Sequence, residues 1–369
     1  MKKMDVAAYI WPAYTGTEGR TRIFWPEGNG EWETVRDATA RYPGHLWPRK
    51  PLWGYVDEAD PYVMEMEIEA AVDHGVNVFI YDWYWYDNRP YLEQCLNDGF
   101  LKAKNRSKMK FYLMWANHDV TYGWDRRISE VDRNTHVWKG AVTPEQFRYI
   151  AVRWLDKYFT LPEYYKIDNK PVLSIYELQN FIDSFGSVES AKEHMEWLNE
   201  KAKEYGFDGI HFQYVKFGKI RTNSSGFDRV MIEHKPSEVV AQMPFSSTTH
   251  YQFKHFTDMN RDYAEIMKDV HAEWESVLRD FKIPYHPHVS IGWDNTPRYK
   301  SQIWCVAKNN TPEAFEKALR DAKELAEKTN ADLITINSWN EWTETSYMQP
   351  DDLYGYGYLE AVKRVFKED

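Results

Sequence analysis

The sequence predicts an α/β chain, a single (β/α)8 TIM barrel over residues 1–369 with long aromatic-rich loops at the carboxyl ends of its strands. Three observations predict it. Eight short β-branched or aromatic runs alternate with longer segments of helical period, the pattern of a parallel sheet with crossover helices. Most of the runs are almost continuously apolar rather than alternating, as expected of strands covered on both faces. No composition break or Ser/Gly-rich linker divides the chain, which favours one closed barrel over a two-domain doubly wound sheet.

The elements follow in order. The first run is Met4–Ile10. Behind it, Trp11 to Ala59 is rich in Gly, Pro and Trp, and its length and tryptophans predict an ordered wall of a site rather than a disordered loop. Asp60-Pro61 opens a helix that reaches Asp73-His74 and stops at Gly75. The second and third runs are Val76–Asp82 and Lys110–Ala116. Thr143-Pro144-Glu145-Gln146 reads as an N-cap, a first-turn proline and a capping-box glutamine. Pro171–Tyr176, a helix over Val188–Tyr205, and Gly209–Val215 come next. The sixth run is placed at Arg229–Glu233, although the link from Val215 is too short for a full crossover helix. A helix over Phe256–Asp280 leads to the seventh run, Pro287–Ile291. Thr311-Pro312-Glu313 opens a helix that ends near Asn330, ahead of the eighth run, Asp332–Asn337, and Tyr358–Phe366 supplies the last helix.

Composition removes several function classes. With 46 Lys+Arg against 57 Asp+Glu the net charge is −11, which argues against a nucleic-acid partner. Apolar runs such as Val76-Asn77-Val78-Phe79-Ile80 fall far short of the ~20 residues of a membrane span. The start, Met1-Lys2-Lys3-Met4-Asp5, shows no apolar signal region. The expected compartment is therefore the cytoplasm, or the periplasm or exterior if a leader has been removed. Cys95 and Cys305 make no disulfide framework and read as two core thiols. No GxGxxG or GxxxxGK[ST] turn follows a strand, so no cofactor is expected. His286-Pro287-His288, with Asp294 as a third ligand, is the one metal reading, and loop and core histidines are the preferred one. No Asp-x-Asp pair and no Gly-x-Ser-x-Gly elbow occurs. What stands out is 17% aromatic content, with 17 Trp and 26 Tyr, much of it in turn-like stretches. Flat apolar faces with polar handles suit rings that bear hydroxyls.

Active sites of such barrels lie at the carboxyl ends of the strands. The eighth run is followed by Ser338-Trp339-Asn340-Glu341-Trp342-Thr343-Glu344. At helical or tight-turn spacing, i and i+3 project to one side with Cβ atoms about 5–6 Å apart. Two acids held that close among aromatics acquire unequal pKa values, the condition for glycosidic cleavage, in which one carboxyl protonates the leaving oxygen while the other assists attack. A solvated helix start with two exposed glutamates is the alternative. Other strand ends offer sugar contacts: Asp82-Trp83, Trp115, Asn117-His118, Tyr176-Glu177, Gln213-Tyr214, Glu233-His234 and Trp293-Asp294. Some of these are expected to cross-link loops instead.

Trp339-Asn340-Glu341-Trp342-Thr343-Glu344, then Tyr347-Met348-Gln349-Pro350-Asp351 and Tyr354 to Val362, resemble the WbsX family. Tyr9-Ile10-Trp11-Pro12-Ala13-Tyr14 and Gly75 to Trp85 extend the likeness over most of the chain. That family was named for glycosyltransferases of polysaccharide biosynthesis and resembles the family 99 glycoside hydrolases, endo-acting α-mannanases and α-mannosidases. The resemblance implies that Glu341 deprotonates the sugar's own 2-hydroxyl, which attacks C1 internally, and that Glu344 is the general acid and then base. It places Tyr9, Trp11, Asn340 and Tyr347 beside the strand-end residues as sugar contacts. Thr345 stands where the family usually has Gly, and Gln349 where it has Glu. The expected function is a retaining hydrolase of α-linked glycans, with an oligosaccharide or polysaccharide as its partner and no oligomeric state read from the sequence. A glycosyltransferase of surface-polysaccharide synthesis and a non-catalytic carbohydrate-binding barrel are the alternatives.

Overall fold

The computed structural model describes residues 4–223, 231–303 and 305–368. Eight strands, β1 (Asp5–Ile10), β2 (Val78–Tyr86), β3 (Lys110–Trp115), β4 (Lys170–Ile175), β5 (His211–Val215), β6 (Phe245–Thr249), β7 (His288–Ser290) and β8 (Leu333–Asn337), form the barrel wall. Their order around it is β6-β5-β4-β3-β2-β1-β8-β7, every pairing parallel. β1 pairs with both β2 and β8, Ala7 lying opposite Val78 on one side and Thr335 on the other. The gap between β6 and β7 is bridged at Thr248 and Tyr285. There Thr248 N donates to the Pro284 carbonyl at 2.9 Å and Thr249 Oγ1 to that of His286 at 2.9 Å. The result is the (β/α)8 barrel that the alternating pattern predicts.

Helices flank the wall: α1 (Pro61–Asp73), α2 (Pro144–Trp154), α3 (Leu178–Phe185), α4 (Val188–Lys203), α5 (Tyr263–Asp280), α6 (Pro312–Thr329) and α7 (Gly357–Phe366). Asp60, Thr143 and Thr311 cap α1, α2 and α6 through their side chains, with Pro in the first turn of each, and Thr143 and Gln146 complete a capping box. α5 starts seven residues later than Phe256, where Asp262 accepts from Ala264 N.

The sixth strand is a correction. Met231–His234 pairs antiparallel with Ile220–Asn223 in a separate hairpin, with Met231, Ile232 and Glu233 exposed; Arg229 lies outside the described residues. The barrel instead uses β6, Phe245-Ser246-Ser247-Thr248-Thr249, whose hydroxyl-rich sequence hides it from a search for apolar runs. Its polarity is satisfied inside. Ser247 Oγ meets His211 Nε2 at 2.7 Å, Thr248 Oγ1 donates to the Tyr214 carbonyl at 3.1 Å, and Thr249 Oγ1 meets Thr335 Oγ1 at 2.8 Å. Buried polar atoms with partners cost little, so the barrel interior tolerates this strand. Among the described residues no helix is long and apolar enough to cross a membrane.

Candidate active site

At the carboxyl end of the barrel a cavity of about 260 Å³ is lined by Trp11, Asp82, Tyr84, Met114, Ala116, His118, Trp124, Tyr176, Glu177, Phe217, Tyr251, Arg298, Glu341 and Glu344. A larger hollow of about 560 Å³, lined among others by Met4, Asn77 and Asp332, lies at the opposite end, where strands begin and barrel enzymes carry no chemistry. Past β8 the chain makes a tight hairpin in which Asn340-Glu341 pairs with Ser346-Tyr347 around a 3₁₀ turn, Trp342–Glu344. Residues three apart eclipse in a 3₁₀ turn, so Glu341 and Glu344 reach the cavity together. Trp342 points the other way. It stacks on Tyr347 at 3.7 Å between ring centres and donates through Nε1 to Gln349 Oε1 at 2.6 Å. Thr345 closes the turn at φ 55°, the left-handed conformation that glycine adopts without strain. Its hydroxyl is fixed, donating to the Asp294 carbonyl at 2.8 Å and accepting from Trp47 Nε1 at 3.1 Å.

Arg298 organises the carboxyls. Its Nη2 donates to Glu341 Oε1 at 2.9 Å and its Nη1 to Glu344 Oε1 at 2.6 Å, while Nε serves Thr343 Oγ1 at 2.9 Å and Glu31 Oε1 at 3.3 Å. Burial works against its charge, but Glu31, Glu344 and Glu341 outweigh burial and hold the guanidinium above its ordinary pKa. Burial raises Glu341 well above the usual carboxylate range, Glu344 adding to it and Arg298 opposing. Burial likewise raises Glu344, against Arg298. Both shifts act in the sense of one proton shared by the pair, with Arg298 opposing. Opposite them Tyr251 OH lies 3.0 Å from Glu341 Oε2 and 3.0 Å from Asp82 Oδ2. Burial raises Asp82 as well, and Glu177 is pushed up to about 7 by burial and by Asp119 and Asp183. His118 is lowered by burial, which favours the neutral imidazole, with Asp119 opposing.

Strand alternation sorts the other candidates. Along β2, Asp82 and Tyr84 face the cavity, whereas Trp83 faces the helices, packing on Trp154 and donating to Glu93 Oε1 at 2.8 Å. Trp115 packs outward on Phe147, Trp154 and Phe181. Asn117 ties two strand ends, bonding both the N–H and the carbonyl of Glu177 at 2.8 Å. Tyr9 and Gln213 lie deeper in the barrel: Tyr9 OH donates to the His250 carbonyl, and Gln213 bonds Tyr112, Ser174 and His286. Asn340 grips Trp11 and Glu58, and Tyr347 OH donates to Asp351 Oδ2 at 2.6 Å. Trp293 and Asp294 line a separate hollow of about 370 Å³ with Tyr42 and His45. Glu233 pairs with Lys219 on the outer hairpin. His286 and His288 are engaged by Gln213, Thr335 and Ser290, and among the described residues no three His, Cys, Asp or Glu side chains group as metal ligands.

Tyr84, Met114, Ala116 and Phe217 of the cavity lining escaped the sequence reading, and so did four polar or aromatic residues that shape the site. Glu31 lies in the long first loop, where Trp11 Nε1 donates to its Oε2 at 2.5 Å. Trp124 lines the cavity from the loop after β3. Tyr251 follows the strand that was misplaced. Arg298 comes four residues beyond Asp294, and a charged residue just past a strand end was the available signal.

The sequence matches the family described as Glycosyltransferase WbsX over residues 6–362. The chain belongs to the WbsX family. It is similar to the uncharacterized protein WxcX of Xanthomonas campestris pv. campestris, 27% identical over 350 residues that cover 92% of this chain and 46% of that one. This WbsX chain thus spans about half the length of the curated relatives it matches. Among solved structures it is similar to a glycoside hydrolase-like protein, with TM-score 0.64 at 16% identity over 100% of this chain and 95% of that one. It is also similar to the GH99 endo-alpha-mannosidase of Bacteroides thetaiotaomicron in complex with bis-tris-propane, with TM-score 0.60 at 14% identity over 100% and 98% of the two chains. At such identities the likeness is one of fold alone, the (β/α)8 barrel.

Proposed function

We propose that the chain is a retaining glycoside hydrolase of α-linked glycans, with Glu341 and Glu344 as its working pair. The observation that carries the reading is a single one: two carboxyls three residues apart at a 3₁₀ turn, Glu341 buried and Glu344 half-buried, share one guanidinium at the edge of an aromatic cavity where the strands end. In the first step Glu341 takes the proton of the sugar's 2-hydroxyl, O2 attacks C1, and the bond from C1 to the leaving oxygen breaks as Glu344 protonates that oxygen. In the second, Glu344 takes a proton from water, which opens the three-membered ring at C1, and Glu341 returns its proton to O2. Two inversions give retention. Trp11, Tyr84, Trp124, Tyr176 and Phe217 supply faces for sugar rings. The family name favours a second reading, in which an acceptor hydroxyl replaces water.

The test is product release from α-mannans, rhamnose-containing polysaccharides and bacterial surface glycans, with Glu344→Gln alongside. Wild type is expected to release oligosaccharides, and loss of the acid/base should slow cleavage of a poor leaving group roughly 10²–10⁴-fold. Equal rates for the two proteins would sink the assignment. Efficient cleavage of a 2-deoxy glycan would remove internal attack.

A further inference from the structure

We propose that Asp82 is held as a neutral carboxylic acid, a positioning residue whose proton sets the direction of the Asp82–Tyr251–Glu341 hydrogen-bond chain and leaves the negative charge on Glu341. The proposal rests on the reading of Glu341 as the base.

The number of protons available to the chain decides its charges. Tyr251 OH lies 3.0 Å from Asp82 Oδ2 and 3.0 Å from Glu341 Oε2. A phenol carries one proton, so it donates to one carboxyl, and the other contact is a hydrogen bond only if that carboxyl brings a proton of its own. With both contacts made as hydrogen bonds, one of the two acids is neutral. Arg298 decides which. Its guanidinium donates to Glu341 Oε1, and its remaining bonds go to Glu344, Thr343 and Glu31, with none to Asp82. Asp82 is 3% exposed, and its Oδ1 has no hydrogen-bond partner among the described residues. The titratable groups that act on it are Tyr9, Tyr84, Tyr176, Tyr251, Glu341 and Glu344, none of them a cation; His118, Glu177 and Arg298 line the same cavity, and Arg298, its cation, is committed to Glu341, Glu344 and Glu31. A buried carboxylate with no counter-charge costs more than the neutral acid.

The proton then sits on Oδ2, the oxygen that has a partner. Asp82 donates to the Tyr251 oxygen, and Tyr251 donates to Glu341 Oε2. Glu341 thereby receives a donor on each oxygen, Arg298 on Oε1 and Tyr251 on Oε2, while Arg298 binds Glu344 at Oε1. Two hydrogen bonds to the charged form favour the ionised state at Glu341 and leave the shared proton to Glu344. Burial, which raises Asp82 more than the Tyr251 bond lowers it, acts in the same sense.

Infrared difference spectroscopy in D₂O on the full chain tests this without any substrate. Asp82→Asn is expected to remove a protonated-carboxyl stretching band present in wild type at neutral pH. If no such band is lost, Asp82 is ionised and the proposal falls. Tyr251→Phe is the second variant, for use if Asp82→Asn does not fold: it removes the acceptor of the Asp82 proton, so the band should move to higher frequency, and an unmoved band overturns the proposal. Where a cleaved glycan is in hand, the acid limb of kcat/KM adds a kinetic readout. Replacing a neutral acid by an amide should leave that limb in place, whereas removal of a charge beside Glu341 would lower it by ~1 pH unit and overturn the proposal. An inactive protein counts against the hydrolase reading, and the spectra still decide Asp82.

Discussion

Arg298 is the residue on which the site depends. Its guanidinium is bonded to the buried Glu31 and Glu341 and to the half-buried Glu344. Breaking a buried pair by removing one partner costs about 3–5 kcal/mol, because the other charge is left without compensation. Arg298→Met is therefore expected to lower stability by about that amount in urea denaturation at pH 7, and by less at pH 5, where the raised carboxyls take up protons and shed the uncompensated charge. A loss independent of pH would show that Arg298 acts through packing alone. The carboxyl pair was legible in the sequence because its signal is local, two glutamates three residues apart at a strand end. Arg298 and Tyr251 were not, because they reach the pair from loops 43 and 90 residues away in the chain.

Among elements, β6 shows where sequence patterning and structure part. Seven of the eight strands announced themselves as apolar or β-branched runs. β6 did not, since Ser247, Thr248 and Thr249 face partners that only the closed barrel supplies. The runs that were found gave the wall but not the facing of each side chain. A one-residue step along β2 separates Asp82, in the cavity, from Trp83, against α2, and a strand covered on both faces carries no polar–apolar alternation to reveal which is which. The hydroxyl of Thr249 also holds the seam, bonding the His286 carbonyl and Thr335 Oγ1. Thr249→Val keeps the shape and removes both bonds. The expected cost is about 1–3 kcal/mol, read from the denaturation midpoint, with the faster-exchanging amides confined to β6 and β7. A neutral substitution would mean that the seam is held by the backbone bridge alone.

Over the whole molecule, buried titratable groups of two kinds set opposite slopes of stability against pH. Glu177, raised to about 7, binds more protons folded than unfolded between the ordinary glutamate range and 7. Its contribution therefore falls as pH rises through that window. His211, lowered to about 4, and His286, lowered to about 3, bind fewer protons folded, so their contribution falls as pH drops below ~6.5. Glu177→Gln should remove that fall between pH 5 and 7 and leave the slope at higher pH unchanged, as unfolding free energies at pH 5, 6, 7 and 8 would show. An unchanged decline would remove Glu177 as its source. The closed barrel was legible because eight repeats reinforce one another without a break, whereas the contacts that close it were not, because they join β1 to β8 across most of the sequence. Those contacts carry a further consequence. β1 sits between β2 and β8, and Trp339 N reaches back to the Tyr9 carbonyl at 2.8 Å. A growing polypeptide on the ribosome must hold its first strand half-paired until the eighth strand emerges, so no shorter chain carries the Glu341–Glu344 hairpin, and the carboxyl pair meets its cavity only in the completed ring.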